Sequence, residues 1–165
     1  MLAAIQLQVK AALDYDKLLD KLRGSEGEKN IRDQQNALIT SLNLRLNGVS
    51  KKRTRLYEDY AEGLLDEAEY SFAKKSYDEQ YADLSRRLDE AVQRRSKFDE
   101  AMSVDNKWIT LMKSVSTATQ LSQDLVDESV ELVKVHEGGA VELVMKYGDI
   151  YELTIQSIKE VQEAM

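Results

Sequence analysis

The chain contains no cysteine and no proline, and only one histidine and one tryptophan. Lack of cysteine excludes disulfides, thiolate nucleophiles and thiolate metal ligands. Lack of proline leaves every backbone N–H available, so long helices run without proline kinks. The single histidine, His136, has neither the oriented partner that acid–base catalysis requires nor the further ligands of a zinc site. It reads as a plain surface residue. No glycine loop cradles phosphate, because Gly138-Gly139 precedes a strand pattern and lacks the Lys-Ser/Thr of a P-loop. No serine is accompanied by the histidine and carboxylate of a hydrolase triad. No apolar run approaches the roughly 20 residues that span a bilayer, and Gln6 and Gln8 interrupt the only N-terminal candidate for a leader. A net charge of −7 does not suit a surface that seeks phosphate as a whole. These absences predict a cytoplasmic, non-catalytic chain with no cofactor and no membrane partner.

What is present is helical periodicity. The stretch Ile31–Met102 reads as two long helices folded back on each other around Gly63-Leu64-Leu65-Asp66. Leu38, Leu42, Leu46, Val49, Leu56, Tyr60 and Leu64 are three or four residues apart and share one helical face. Beyond the break, Tyr70, Tyr77, Leu84, Ala91 and Phe98 recur every seven residues. Tyr81, Leu88 and Met102 fall four residues after members of that series, the signature of a coiled-coil seam. Asp66 followed by Glu69 resembles a capping box, and Gly63 suits the left-handed residue that ends a helix. The tyrosines near the tip, Tyr57, Tyr60, Tyr70, Tyr77 and Tyr81, read as seam residues with wet hydroxyls. The basic run Lys51–Arg55, with Arg86-Arg87 and Arg94-Arg95, reads first as a solvated face paired with acids of the return helix, and only second as a contact to a DNA backbone.

On either side of this arm the pattern changes. Leu2–Arg23 is an amphipathic helix with Ile5, Val9, Leu13 and Leu22 on its stripe, widened by Ala12 and Leu18 or Leu19. Gly24-Ser25-Glu26-Gly27 predicts a break, with the helix resuming near Glu28 and running to Glu62. Trp108, beside Ile109, Leu111 and Met112, reads as the core anchor of a short helix over Asn106–Val115. Ser122 is the predicted N-cap of a helix from Gln123 to about Leu132. Alternation of Val133, Val135, Val141, Leu143, Met145 and Tyr147 around Glu137-Gly138-Gly139 predicts a β-hairpin. Thr154 is the expected cap of a last helix bearing Ile155, Ile158 and Val161. The expected fold is mainly α: a long antiparallel coiled-coil hairpin with short helices and a C-terminal β-hairpin. Its expected divisions are 1–27, 28–105 with the tip near 63–66, and 106–165.

Three passages in this order carry a resemblance: Leu56-Tyr57-Glu58-Asp59-Tyr60-Ala61-Glu62-Gly63-Leu64-Leu65-Asp66 with the following Glu67-Ala68-Glu69-Tyr70; Asn106-Lys107-Trp108-Ile109 with Leu121–Val126 after it; and Val133 to Asp149. Together they resemble the C-terminal region of the large serine recombinases of phages and conjugative transposons. The resemblance implies a bacterial, phage or mobile-element protein. Its catalytic serine domain and zinc ribbon would lie upstream, so this fragment would neither cleave DNA nor bind zinc. It further implies a coiled-coil arm whose tip forms weak contacts between recombinase subunits and so controls synapsis and the direction of integration or excision. Attachment-site DNA would be held by the full-length parent. Tyr60, Leu64, Leu65 and Tyr70 are the partner-binding residues this implies, with one of the two leucines exposed in an apolar knob. Lys134 and Lys146 of the β-hairpin are its candidate DNA contacts. The alternative is a structural coiled-coil adaptor or spacer unrelated to recombination, which periodicity alone does not separate.

Overall fold

The structure, a computed structural model, describes all residues 1–165. In chain order its elements are α1 (Leu2–Leu22), α2 (Glu26–Ala61), α3 (Glu67–Met102), α4 (Lys107–Ser114), α5 (Gln123–Ser129), β1 (Val130–Val135), β2 (Val141–Met145) and α6 (Gly148–Glu163). The fold is therefore mainly α, with one antiparallel two-stranded sheet near its C-terminal end. The residues group into two compact units, Met1–Ile31 with Lys97–Met165, and Arg32–Ser96. The segments 1–27 and 106–165, read separately from the sequence, thus share one unit.

The discontinuous unit has a core of Ile5, Val9, Leu19 and Leu22 from α1, Phe98 and Met102 from the end of α3, Trp108 and Met112 from α4, and Ile150, Ile158 and Val161 from α6. Phe98 and Met102, expected in the helical seam, belong to this core instead. Leu13 is exposed, and the stripe of α1 runs through Ala12 and Leu19. Arg23 closes the end of α3: its Nε donates to the Met102 carbonyl at 2.8 Å and its Nη2 to that of Ser103 at 2.7 Å. These are carbonyls that a helix end leaves without intrahelical partners.

Asn106 connects three elements. Its side-chain oxygen accepts from the Ile109 N–H at 3.1 Å and so caps α4. Its Nδ2 donates to the Ala101 carbonyl at 3.0 Å and to Thr154 Oγ1 at 2.8 Å. Thr154 in turn donates to the Ile150 carbonyl at 2.6 Å. Thr154 is therefore a buried mid-helix residue and not the expected cap. Helix α6 starts earlier, after Tyr147 in the left-handed region at φ 58°.

The break after α1 is shorter than expected. Ser25 Oγ accepts from the Glu28 N–H at 3.2 Å, and the Glu28 carboxylate reaches back to the Gly24 N–H. This reciprocal cap starts α2 at Glu26, so Gly27 is helical. What Gly27 supplies is space: a Cβ there would lie 2.3 Å from the Val161 carbonyl oxygen. Helix α5 also departs from expectation, ending at Ser129 because the chain turns extended at Val130.

The second unit is the paired stretch of α2 and α3. Leu42 and Val49 pack with Leu84 and Ala91, flanked by Ile39, Leu46, Tyr77, Tyr81 and Leu88. Ile39 occupies the place expected for Leu38, which is 49% exposed. Three cross-helix contacts, Tyr60–Tyr70, Arg53–Asp78 and Asn36–Arg95, advance in opposite directions along the two helices and set an antiparallel register.

Asn106→Ala is expected to lower stability by about 3 kcal/mol, since it removes a cap and strands buried polar groups. A urea-unfolding midpoint measures this. Gly27→Ala is expected to lower the same midpoint, although alanine is favoured over glycine in a helix by about 1 kcal/mol. A raised midpoint would show that α6 yields to the added methyl.

Candidate functional site at the helical tip

The tip between α2 and α3 is built from its caps inward. Gly63 is left-handed at φ 76°, a conformation that costs a residue with a Cβ. Asp66 Oδ1 accepts from the Glu69 N–H at 2.8 Å, and Glu69 Oε2 accepts from the Asp66 N–H at 3.0 Å. The predicted capping box is therefore formed. Behind it the Tyr60 and Tyr70 rings stack with centroids 4.3 Å apart and planes at 16°. Of the two adjacent leucines, Leu65 is half-buried and Leu64 is 68% exposed. Leu64 is thus not a seam residue.

Four of the seven exposed large apolar residues of this unit, Tyr57, Tyr60, Leu64 and Phe72, fall in the segment around the tip. Phe72, at 81% exposure, went unnoticed in the sequence because it lies outside the seven-residue series. Its displacement by two residues from Tyr70, about 200° around a helix, was the available signal. Tyr57 is exposed as well, not a seam residue.

Inward of the tip the seam becomes polar. Arg53 Nη2 lies 2.7 Å from Asp78 Oδ1, Lys74 Nζ lies 2.8 Å from Asp78 Oδ2, and the Arg53 guanidinium sits 4.9 Å from the centroid of the Tyr81 ring. The Lys74 hydrogen bond, with the Arg53 charge, holds the Asp78 carboxyl below its ordinary value, and the same bond raises Lys74. Arg53 therefore pairs with an acid of the return helix. Arg86 pairs within α3, with Asp83 and Glu90 each at 2.7 Å.

Lys134 and Lys146 lie in the other unit, on and just after the β-hairpin. Lys134 Nζ is 3.1 Å from Glu142 Oε1, and His136 Nε2 is 2.9 Å from Glu142 Oε2. Lys146 donates to the Asp127 carbonyl. Both lysines thus have partners within the chain. The turn is closed by the His136 N–H donating to the Ala140 carbonyl at 2.9 Å, with Gly138 and Gly139 both at positive φ. No group of three or more His, Cys, Asp or Glu side chains is placed to hold a metal ion, and no helix is long and apolar enough to cross a membrane.

Glu142 is held below the ordinary glutamate value, chiefly by its hydrogen bond with His136 and then by that with Lys134. A folded-state pKa below the unfolded one contributes stability above the unfolded value, which is lost as pH falls through the folded value. Amide protection in the β-hairpin is therefore expected to be greater at neutral pH than in acid below the ordinary glutamate value of about 4.3. Hydrogen-exchange protection factors at Val135 and Val141 measure this, and Glu142→Gln should flatten the dependence. No protein-family model matches the chain, and no curated protein or solved structure matches it either.

Proposed function

We propose that the chain is the non-catalytic C-terminal part of a site-specific serine DNA recombinase of a bacterium, phage or mobile element, working in the cytoplasm. In this reading α2 and α3 form an arm whose tip touches other recombinase subunits and so biases synapsis and the direction of integration or excision. The observation that carries it is the gathering of Tyr57, Tyr60, Leu64 and Phe72, all exposed, around the closed end of the helical pair. Small exposed apolar patches suit weak, reversible contacts. Leu64 and Phe72 supply the apolar contact, while the stacked pair Tyr60–Tyr70 and half-buried Leu65 hold the tip in shape. The order of tip, tryptophan helix and β-hairpin is a second support, since a plain spacer needs neither of the last two. Catalysis, attachment-site DNA and zinc belong in this reading to upstream domains of the parent. The chain has no cysteine to offer zinc.

Sedimentation equilibrium of the whole chain tests the proposal. A reversible monomer–dimer equilibrium is expected, weakened at least tenfold (about 1.4 kcal/mol) by Leu64→Glu with Phe72→Glu, with helicity unchanged. If the chain is monomeric alone, two copies joined by a flexible linker, at an effective concentration near ~1 mM, should associate through the same residues. No association even when tethered would favour the spacer reading.

A further inference from the structure

The discontinuous unit carries a cleft unrelated to the tip. Trp108 and Tyr151 form its wall, Val144 and Met145 its apolar side, and Gln8, Glu131, Asp149 and Glu152 complete the lining. The Trp108 and Tyr151 rings lie 4.7 Å apart at 51°. The Trp108 side chain is fully buried, yet its Nε1 meets no hydrogen-bond acceptor in the protein.

Three features of this cleft agree on one ligand chemistry. First, three carboxylates line it and no basic side chain does. The neighbouring cation, Lys146, is turned to the Asp127 carbonyl. Second, Glu131, Asp149 and Glu152 are exposed and form no ion pair, whereas Glu142 on the same β-hairpin holds both Lys134 and His136. Third, Glu131 sits at the register shift between Val130 and Leu132. A bulge of this kind re-aims the side chain of its extra residue.

We propose that this cleft binds an arginine side chain presented by a basic polypeptide partner. A guanidinium stacks on aromatic faces and offers several donors in a fixed fork, so it engages the half-buried Tyr151 ring and two carboxylates together; the Trp108 ring behind it is covered. A lysine ammonium lacks the flat face. The carboxylates lie at the exposed rim, within reach of a residue carried on a longer chain. Apolar Val144 and Met145 suit the arginine stem. The site is independent of the subunit contacts proposed for the tip.

Trp108 is the sole tryptophan, so its indole N–H gives a single resonance in a 15N-labelled whole chain. The probe is the capped tripeptide Gly-Arg-Gly, titrated at constant ionic strength beside its citrulline and lysine counterparts and beside free arginine amide. A saturable shift of the indole signal is expected with the arginine peptide. The neutral citrulline peptide should bind at least about tenfold more weakly, and Glu131→Gln with Glu152→Gln should weaken the arginine peptide by about tenfold, the scale of two exposed charge pairs. Circular dichroism checks the fold of that variant, and Glu152→Gln alone serves if the pair disturbs it. Absence of a saturable shift, equal binding of citrulline, or an unaffected variant would overturn the proposal. Equal binding of lysine would overturn the choice of arginine, and equal binding of free arginine amide would overturn the polypeptide partner.

Discussion

Asn106 holds the discontinuous unit together. One buried amide caps α4, receives the end of α3 through the Ala101 carbonyl and reaches α6 through Thr154. Each of these bonds is made where water is excluded, so each lost partner would leave an unpaired polar group. Trp108, Met112, Ile150 and Val161 supply the apolar packing of the same unit. Arg23 acts in the same region from the other side, taking the last carbonyls of α3. Hydrophobic burial drives the collapse of this unit, and these directional bonds select one arrangement of its helices.

The paired unit solves the same problem differently. Its apolar cluster of Leu42, Val49, Leu84 and Ala91 is short for helices of this length. Toward the tip the seam passes to Arg53, Asp78, Lys74 and the Tyr81 ring. Polar residues at seam positions stabilise less than apolar ones but penalise shifted registers, because a slip separates the charges. Register is thereby held close to the tip, where the capping box and the tyrosine stack fix the reversal. Leu64 then remains at the surface of the reversal, and Phe72, about 200° around α3 from Tyr70, on the side of the helix away from the seam.

The two surfaces singled out differ in chemistry. The tip exposes Leu64 and Phe72 among the carboxylates of Glu58, Glu62, Glu67 and Glu69, apolar side chains open to another apolar surface. The cleft beside Trp108 is acidic with an aromatic wall, which suits a cation. Both arise where local structure breaks regular pairing, at the helix reversal in one case and at the strand bulge in the other. Regular elements satisfy their own backbone groups and bury their own stripe, and irregular joints expose side chains to a partner.

Much of the fold was legible because local rules govern it. Helix lengths follow from three-and-four spacing, the tip from Gly63 with Asp66 and Glu69, the β-hairpin from alternation around Gly138-Gly139, and α5 from Ser122. Burial of Trp108 was legible too. What the residues alone did not disclose depends on what lies opposite. Gly27 looked like a helix breaker and is instead the point where the Val161 carbonyl approaches. Thr154 looked like a cap and is a buried partner of Asn106. Phe98 and Met102 kept the seam's spacing but joined another core, and Leu38 yielded its place to Ile39. Of the candidate tip residues, sequence supplied Leu64 and the Tyr60–Tyr70 pair, while Phe72 emerged only from its exposure. By itself, then, the sequence determined the elements and the reversal, because caps and periodicity act within a few residues, while three helix ends, at Glu26, Ser129 and Gly148, were set elsewhere than expected. Only the tertiary structure decided which apolar side chains are covered, and by what, because burial is a property of the facing surface and not of the residue.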